Sequence, residues 1–410
     1  MFKSTRYPLS MTMILPKELP KTMKAVQVKS YGEAVEEVLA VCDDVPVPRL
    51  DDPYQPTEPV HPLIRSATEK DRKTHMILKM LAVALAPGDC RVMSGKTRVF
   101  QGPPSFPYVP GGDCCGIVME TMPGETYFQK GDVVAARFTV APRDAMAEYG
   151  RVSSVVCDKV LDTNKVTPEG AAVLASASPA VCISDYIRPN ERVLVLGAGG
   201  GVGSHLVQLA RHNKASYVCG VSRTPERLLK EPLNCDDAIN YETDDIFSLS
   251  KYQEKPFDTI IELSASGTWL KLVENARKRN ALPSIVKPAS QGGRYITITP
   301  DAPKFEAKSI WPLLRLYLFR PLWRYIWYSN FNIFTRKKFP KFILATGLPA
   351  KREVITRTLK LAHEGKLKPV MEGPYSMTTE GVQKAFESLQ TRHPKGKVVV
   401  QVSELKSTSH

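Results

Sequence analysis

The stretch VLVLGAGGGVGS (193–204) sets Gly197, Gly200 and Gly203 at three-residue intervals directly after an apolar run, and Leu206, Leu209 and Ala210 then recur at helical spacing. Glycines are needed where a backbone turns sharply and where a side chain would block an approaching anion. The helix that follows offers free N–H groups and the positive end of its dipole to that anion. An apolar strand, a glycine turn and an amphipathic helix in this order make a pyrophosphate cradle, which predicts dinucleotide binding. The end of the next strand, about 20 residues on, decides which dinucleotide is held. YVCGVSRTPER (217–227) places Ser222 and Arg223 there. A hydroxyl and a guanidinium suit a ribose 2′-phosphate that a carboxylate would repel, so NADPH is expected over NADH.

A second stretch, PYVPGGDCCGIV (107–118), brings Asp113, Cys114 and Cys115 together. Such residues could ligate a metal, form a redox pair, or line a tight turn. The eight cysteines contain no C-x-x-C, and no histidine stands at ligand spacing from any of them. Neighbouring cysteines are poorly placed for a mutual disulfide. The pattern predicts free thiols in a reducing compartment, with Cys114 and Cys115 on opposite faces of a strand and Asp113 as a structural acid.

The elements that must carry these residues follow from the wider pattern. Residues 23–165 read as short β pieces punctuated by Gly and Pro, interrupted by a proline- and charge-rich insertion at 49–75. Residues 167–187 read as helix. From 191 onward strands and helices alternate, with further strands at 258–262 and 294–299, the signature of an α/β doubly wound parallel sheet. The tail returns to strand, helix and strand. A chain of 410 residues with 43% hydrophobic and 24% charged residues supports two packed domains. Its net charge of +14 favours anionic partners. No nucleic-acid-binding module is present, so no nucleic-acid partner is expected. The first 22 residues lack the apolar core of a secretory signal, and no apolar run is long enough to span a membrane.

Taken in order, APGDCRVMSG (86–95), FPYVPGGDCCGIV, AMAEYGRV, GAGGGVGSHLVQLAR, AINYETDD, GGRYITI and HPKGKVVV resemble the medium-chain dehydrogenase/reductase superfamily, in its zinc-free quinone oxidoreductase branch. The chain is also similar to the mitochondrial reticulon-interacting oxidoreductases. The resemblance implies a GroES-like β domain over 23–168, carrying the 49–75 insertion and completed by 367–404. It implies a Rossmann domain over 169–366 with an insertion at 301–345, and tails at 1–22 and 405–410. It further implies that Gly200, Gly201, Val202 and Gly203 line the pyrophosphate. Ser222, Arg223 and Tyr241 would surround the adenosine phosphate, and the backbone of Thr297, Ile298 and Thr299 would run beside the nicotinamide.

Departures from the family pattern bear on mechanism. Ala86 and Gly112 stand where zinc-dependent relatives carry Cys and His ligands, and no cysteine-rich lobe occurs between 120 and 150, so no metal is expected. Ala86 and Arg91 replace the Asn and Tyr of quinone-type relatives, which leaves no catalytic side chain named. Arg91 is the candidate contact to an anionic or carbonyl substrate. The expected reaction is hydride transfer from NADPH to a quinone or α,β-unsaturated carbonyl. A nucleotide-binding scaffold or redox sensor, and an enoyl-thioester reductase, are the alternatives. The expected location is intracellular, in the cytoplasm or an organelle (mitochondrion or plastid).

Residues 308–342 interleave Trp311, Trp323 and Trp327 with arginines and lysines and contain no acid. Aromatic rings with cations suit peripheral contact at a membrane interface. A cap over the cleft or a homodimer contact would use the same residues with the rings buried. Pro312, Pro321 and the regular arginines argue against a spanning helix.

Overall fold

The computed structural model of the chain describes residues 15–52, 74–96, 98, 105–138, 144–278, 283–298, 310–330, 337–345 and 351–405. Most of the 49–75 insertion, and Thr299, lie outside them. The first part is β structure: a two-stranded antiparallel sheet of β1 (Thr22–Val28) and β2 (Leu39–Pro46), and a seven-stranded sheet built around β3 (His75–Leu85). One edge of β3 pairs with β4 (Asp113–Thr121), which continues to β5 (Val133–Arg137) and, past β6 (Tyr149–Ser153), to β7 (Cys157–Lys159). The other edge of β3 is shared, with β6 along its first half.

The second part is a six-stranded parallel sheet. Its strands are β8 (Arg192–Leu196), β9 (Tyr217–Ser222), β10 (Asp237–Asn240), β11 (Thr259–Glu262), β12 (Arg294–Thr297) and β13 (Lys341–Leu344), in the spatial order β10-β9-β8-β11-β12-β13. Such strands are covered on both faces, which is why VLVL (193–196) reads as an unbroken apolar run. The order reverses between β8 and β11, and the crevice at their carboxyl ends is where this architecture binds ligands. The chain then returns to the first sheet through β14 (Met371–Ser376) and β15 (Lys397–Gln401), β15 pairing with the second half of β3.

Three cores hold these layers. One face of the seven-stranded sheet packs Cys114, Val83 and Met80 against Val382 and Phe386 of the Thr379–Gln390 helix. The opposite face puts Leu81, Ala82 and Cys115 into a second core shared with Val193, Leu206 and the Pro168–Ala177 helix, so one apolar layer joins the two sheets. A third core, around Trp269, Tyr295 and Phe342, lies on the far side of the parallel sheet. Residues 167–187, expected as one helix, form two, Pro168–Ala177 and Pro179–Ser184. Pro179 has no N–H to continue the ladder, and its ring opposes the carbonyl one turn back.

Residues 310–330 form a single helical rod with wide π turns at Arg315–Phe319 and Tyr325–Asn330. The first wide turn immediately precedes Pro321, where an ordinary α turn would clash with the ring. Among the described residues no helix is long and apolar enough to cross a membrane.

Candidate functional site

The glycine turn sits at the carboxyl end of β8, facing the crevice. Gly197 adopts φ +85°, a left-handed conformation that a side chain disfavours. A Cβ built on Gly203 would lie 2.1 Å from the Gly197 carbonyl oxygen and 2.7 Å from Ala198 Cα, so the helix Gly203–His212 begins in direct backbone contact with the strand end. A Cβ on Gly199 would lie 2.6 Å from Ser222 Oγ, and one on Gly201 2.6 Å from Lys397 Cδ. Gly200 is different: its nearest neighbour would be Gly197 O at 3.5 Å, an ordinary contact. Backbone packing therefore dictates glycine at 203, the close contacts at 199 and 201 are with side chains, and 200 has room for a methyl.

The loop is held from behind by the returning C-terminal chain. Gly396 donates its N–H to Gly199 O (3.2 Å), and Lys397 donates its own to Val370 O (2.9 Å). His205 joins the same two elements: its Nδ1 lies 2.9 Å from Gly201 O, and its Nε2 accepts the Val370 N–H at 3.2 Å. A carbonyl accepts and an amide donates, so this pair of partners requires the neutral imidazole protonated on Nδ1. One turn on, Gln208 bonds the N–H and the carbonyl of Lys368 (2.8 and 3.0 Å). Burial lowers the His205 pKa from 6.5 to about 4; the Gly201 bond opposes the shift and nearby Lys397 adds to it. The unfolded chain therefore takes up the proton first. Stability is full above the ordinary histidine range and falls as pH drops from about 6.5 toward 4, by up to about 3 kcal/mol. Denaturant titrations across that range should show this loss in the native protein and a flatter profile in His205→Gln.

Beyond β9 the side chains expected at the adenosine phosphate converge. Ser222 pairs in register with Asn240, which places Tyr241 beside Arg223 at the ends of β9 and β10. Arg223 is exposed, 4.0 Å from an equally exposed Glu242, a weak contact that a phosphate can displace. Burial raises the Tyr241 pKa, as does Glu242, while Arg223 pulls it down. The Tyr241 hydroxyl lies 3.4 Å from His393 Nδ1. The sequence did not single out Arg227, which is half-buried with Nη1 3.5 Å from Gly199 O and adds a second guanidinium to this corner. Its helical-turn spacing from Arg223 was the available signal.

The side expected to face the nicotinamide is built by β11 and β12. Ala345 N–H bonds Thr297 O at 2.8 Å and Ile298 N–H bonds Glu262 O at 3.5 Å, which fixes the backbone of 297 and 298 from both sides. Glu262 is fully buried and accepts from Ser264 N (2.8 Å), Ser264 Oγ (2.6 Å), the Ser266 hydroxyl and Tyr295 OH (3.3 Å). This carboxylate, also not anticipated, shapes the loop after β11 that abuts Gly197 through Ser264.

On the facing sheet, Asp113 accepts from Ser176 Oγ at 2.6 Å and stands 3.7 Å from Arg137. Lys397 is buried against Gly201, and burial lowers its pKa to about 8, with Asp113 opposing that shift. Cys114 and Cys115 are free and fully buried, one in each of two cores, with thiol pKa values raised by burial. Arg91 lies exposed on the last turn of the Pro87–Met93 helix. Ala86 and Gly112 offer no donor, and among the described residues no three His, Cys, Asp or Glu side chains converge where they could hold a metal. The glycine cradle, the helix start and the hydroxyl–guanidinium corner do fit a dinucleotide carrying an extra phosphate.

Residues 72–163 match the alcohol dehydrogenase GroES-like domain family, and residues 233–400 match the zinc-binding dehydrogenase family. The chain belongs to the medium-chain dehydrogenase/reductase superfamily. Superfamily relatives include the chloroplastic quinone-oxidoreductase QR1 of Triphysaria versicolor, 25% identical over 93% of this chain and 99% of that protein. The chloroplastic NADPH-dependent alkenal/one oxidoreductase of Arabidopsis thaliana is 24% identical over 93% and 80%. The quinone oxidoreductase of Coxiella burnetii shares the fold with a TM-score of 0.65, at 21% identity over 93% of this chain and all of that one. As a medium-chain dehydrogenase/reductase the chain is an oxidoreductase of the nicotinamide-dependent type, acting on a small molecule. The second family is named for zinc binding, whereas the positions expected to carry zinc ligands hold Ala86 and Gly112.

Proposed function

We propose that this protein is a zinc-independent, NADPH-dependent reductase of quinones or α,β-unsaturated carbonyls in an organelle. The observation that carries the reading is the convergence of Ser222, Arg223, Tyr241 and Arg227 beside a glycine turn with open space at Gly200. When bound, the dihydronicotinamide supplies the hydride. Gly200–Gly203 and the first turn of the following helix bind the pyrophosphate, with the ammonium of Lys397 behind Gly201. Arg223 and Arg227 hold the 2′-phosphate, with Ser222 and Tyr241 donating to it. The backbone of Thr297 and Ile298 orients the ring, and the serine-caged Glu262 fixes the loop beside it. A quinone or enone takes its proton from water, so the cleft needs to orient its two partners more than to supply an acid. Relatives named for quinones and alkenals, both chloroplastic, support the acceptor class and the compartment.

NADPH and NADH oxidation against a panel of quinones, enones and enoyl-thioesters tests this. Quinone or enone turnover with NADPH is the expected outcome. Tight NADPH binding without turnover on any acceptor would mark a scaffold or sensor instead. Arg223→Asp should lower the NADPH-over-NADH preference in kcat/KM by about 100-fold, since it replaces a charge-assisted bond with repulsion. Unchanged selectivity would show that the phosphate lies elsewhere.

A further inference from the structure

We propose that the helix 310–330 and the adjoining Lys337–Lys341 segment form a docking surface for an anionic lipid bilayer, the helix axis lying in the membrane plane. Leu316, Arg324 and Tyr328 are among the residues that anchor the helix to the protein. Leu316 and Arg324 are buried, the Arg324 guanidinium standing 5.9 Å from the Trp269 ring and 5.4 Å from Phe342. Tyr328 packs edge-on against Phe339 at 5.3 Å and accepts from Arg277 at 2.8 Å. The larger apolar surface points the other way. Trp311, Phe319, Trp323 and Trp327 are 69, 52, 56 and 52% exposed, recurring at near-helical intervals, and Leu322 and Ile326 lie among them. The Trp323 and Trp327 rings stack on each other, 5.0 Å apart and 6° from parallel, on that outward face. A helix that presents its indoles to solvent and its arginine to the core inverts the usual partition.

Charge decides what covers it. Arg315, Arg320, Lys337, Lys338 and Lys341 are exposed on or beside the face, and no acidic residue occurs from 307 to 352. A cap with buried rings is not what these exposures describe. A second copy packed through a two-fold axis would bring this basic set against itself. Lipid headgroups reverse that penalty: the cations meet phosphates while the rings enter at headgroup depth. About 30 Å of helix lies along the surface, enough for a peripheral contact and without the uncharged length of a span. The inference is independent of the acceptor proposed above.

The purified full chain, mixed with phosphatidylcholine vesicles with and without phosphatidylserine, provides the test. Three of the four tryptophans are on this face and the fourth, Trp269, is buried, so indole emission reports on the contact. Flotation with the anionic vesicles, a blue-shifted emission and quenching by brominated lipid are expected, and salt should weaken all three. Trp323→Ser/Trp327→Ser and, separately, Arg320→Glu/Lys337→Glu/Lys338→Glu should each weaken vesicle binding at least about tenfold. NADPH affinity should stay unchanged in both, which certifies that they fold. Absence of flotation, or flotation indifferent to both variants, would overturn the proposal. So would a dimer that the tryptophan variant dissociates without any vesicle binding, since the face would then belong to a second copy.

Discussion

Gly203→Ala should destabilise the protein by about 3–4 kcal/mol and weaken NADPH binding at least about 100-fold. The atoms a new Cβ would meet are backbone, Gly197 O at 2.1 Å, Ala198 Cα at 2.7 Å and Gly197 C at 2.9 Å, and none can rotate away. Relief requires the helix to lift from the end of β8, which opens the second core where Leu206 meets Val193 and Val195. It also displaces the first-turn amides from the crevice. Gly200→Ala is the matched control. Its methyl would make only an ordinary 3.5 Å contact with the protein, so stability should change by less than about 1 kcal/mol. NADPH affinity should nevertheless fall at least about tenfold, because the methyl occupies the space left for the pyrophosphate. Denaturant titration and calorimetric binding on the two variants separate packing from recognition. Equal stability losses in both would refute the distinction.

Arg294→Met should cost about 3–5 kcal/mol of stability while leaving KM for NADPH within about twofold. Arg294 and Glu191 are both buried and pair directly, and Arg294 Nη2 also donates to Thr259 Oγ1 at 2.7 Å. Glu191 in turn accepts from Arg188 N at 3.0 Å. Removing the guanidinium strands a carboxylate in a site with little water, whereas removing both charges costs much less. Glu191→Gln/Arg294→Met should therefore recover a large part of the loss. The pair ties together the amino-terminal ends of the parallel strands, with Arg294 opening β12 and Glu191 preceding β8, so it lies at the opposite end of the sheet from the glycine turn. That separation is why binding should be spared. A large rise in KM would show that the sheet transmits strain to the cofactor end.

Neither Arg294 nor Glu191 stood out in the sequence, because an ion pair 103 residues apart has no local signature. Glu262 was missed although its serines follow within four residues, and no local pattern marked Lys397 or His205. Their roles depend on the C-terminal chain returning to the glycine turn, an event set by long-range pairing of β15 with β3. The stretch 107–118 was legible for a local reason. Alternation along a strand sends neighbours to opposite faces, and Cys114 and Cys115 do enter different cores.

The sequence by itself determined the glycine turn, its strand and helix, and the hydroxyl and guanidinium at Ser222 and Arg223, since each is encoded in spacing that short-range sterics and charge enforce. It also determined that residues 308–342 combine aromatic rings with cations. Only the tertiary structure decided which way those rings face. Sequence spacing fixes neither the helix nor its rotation about its own axis; docking of Arg324 and Tyr328 against the third core does, and it turns Trp311, Trp323 and Trp327 to solvent.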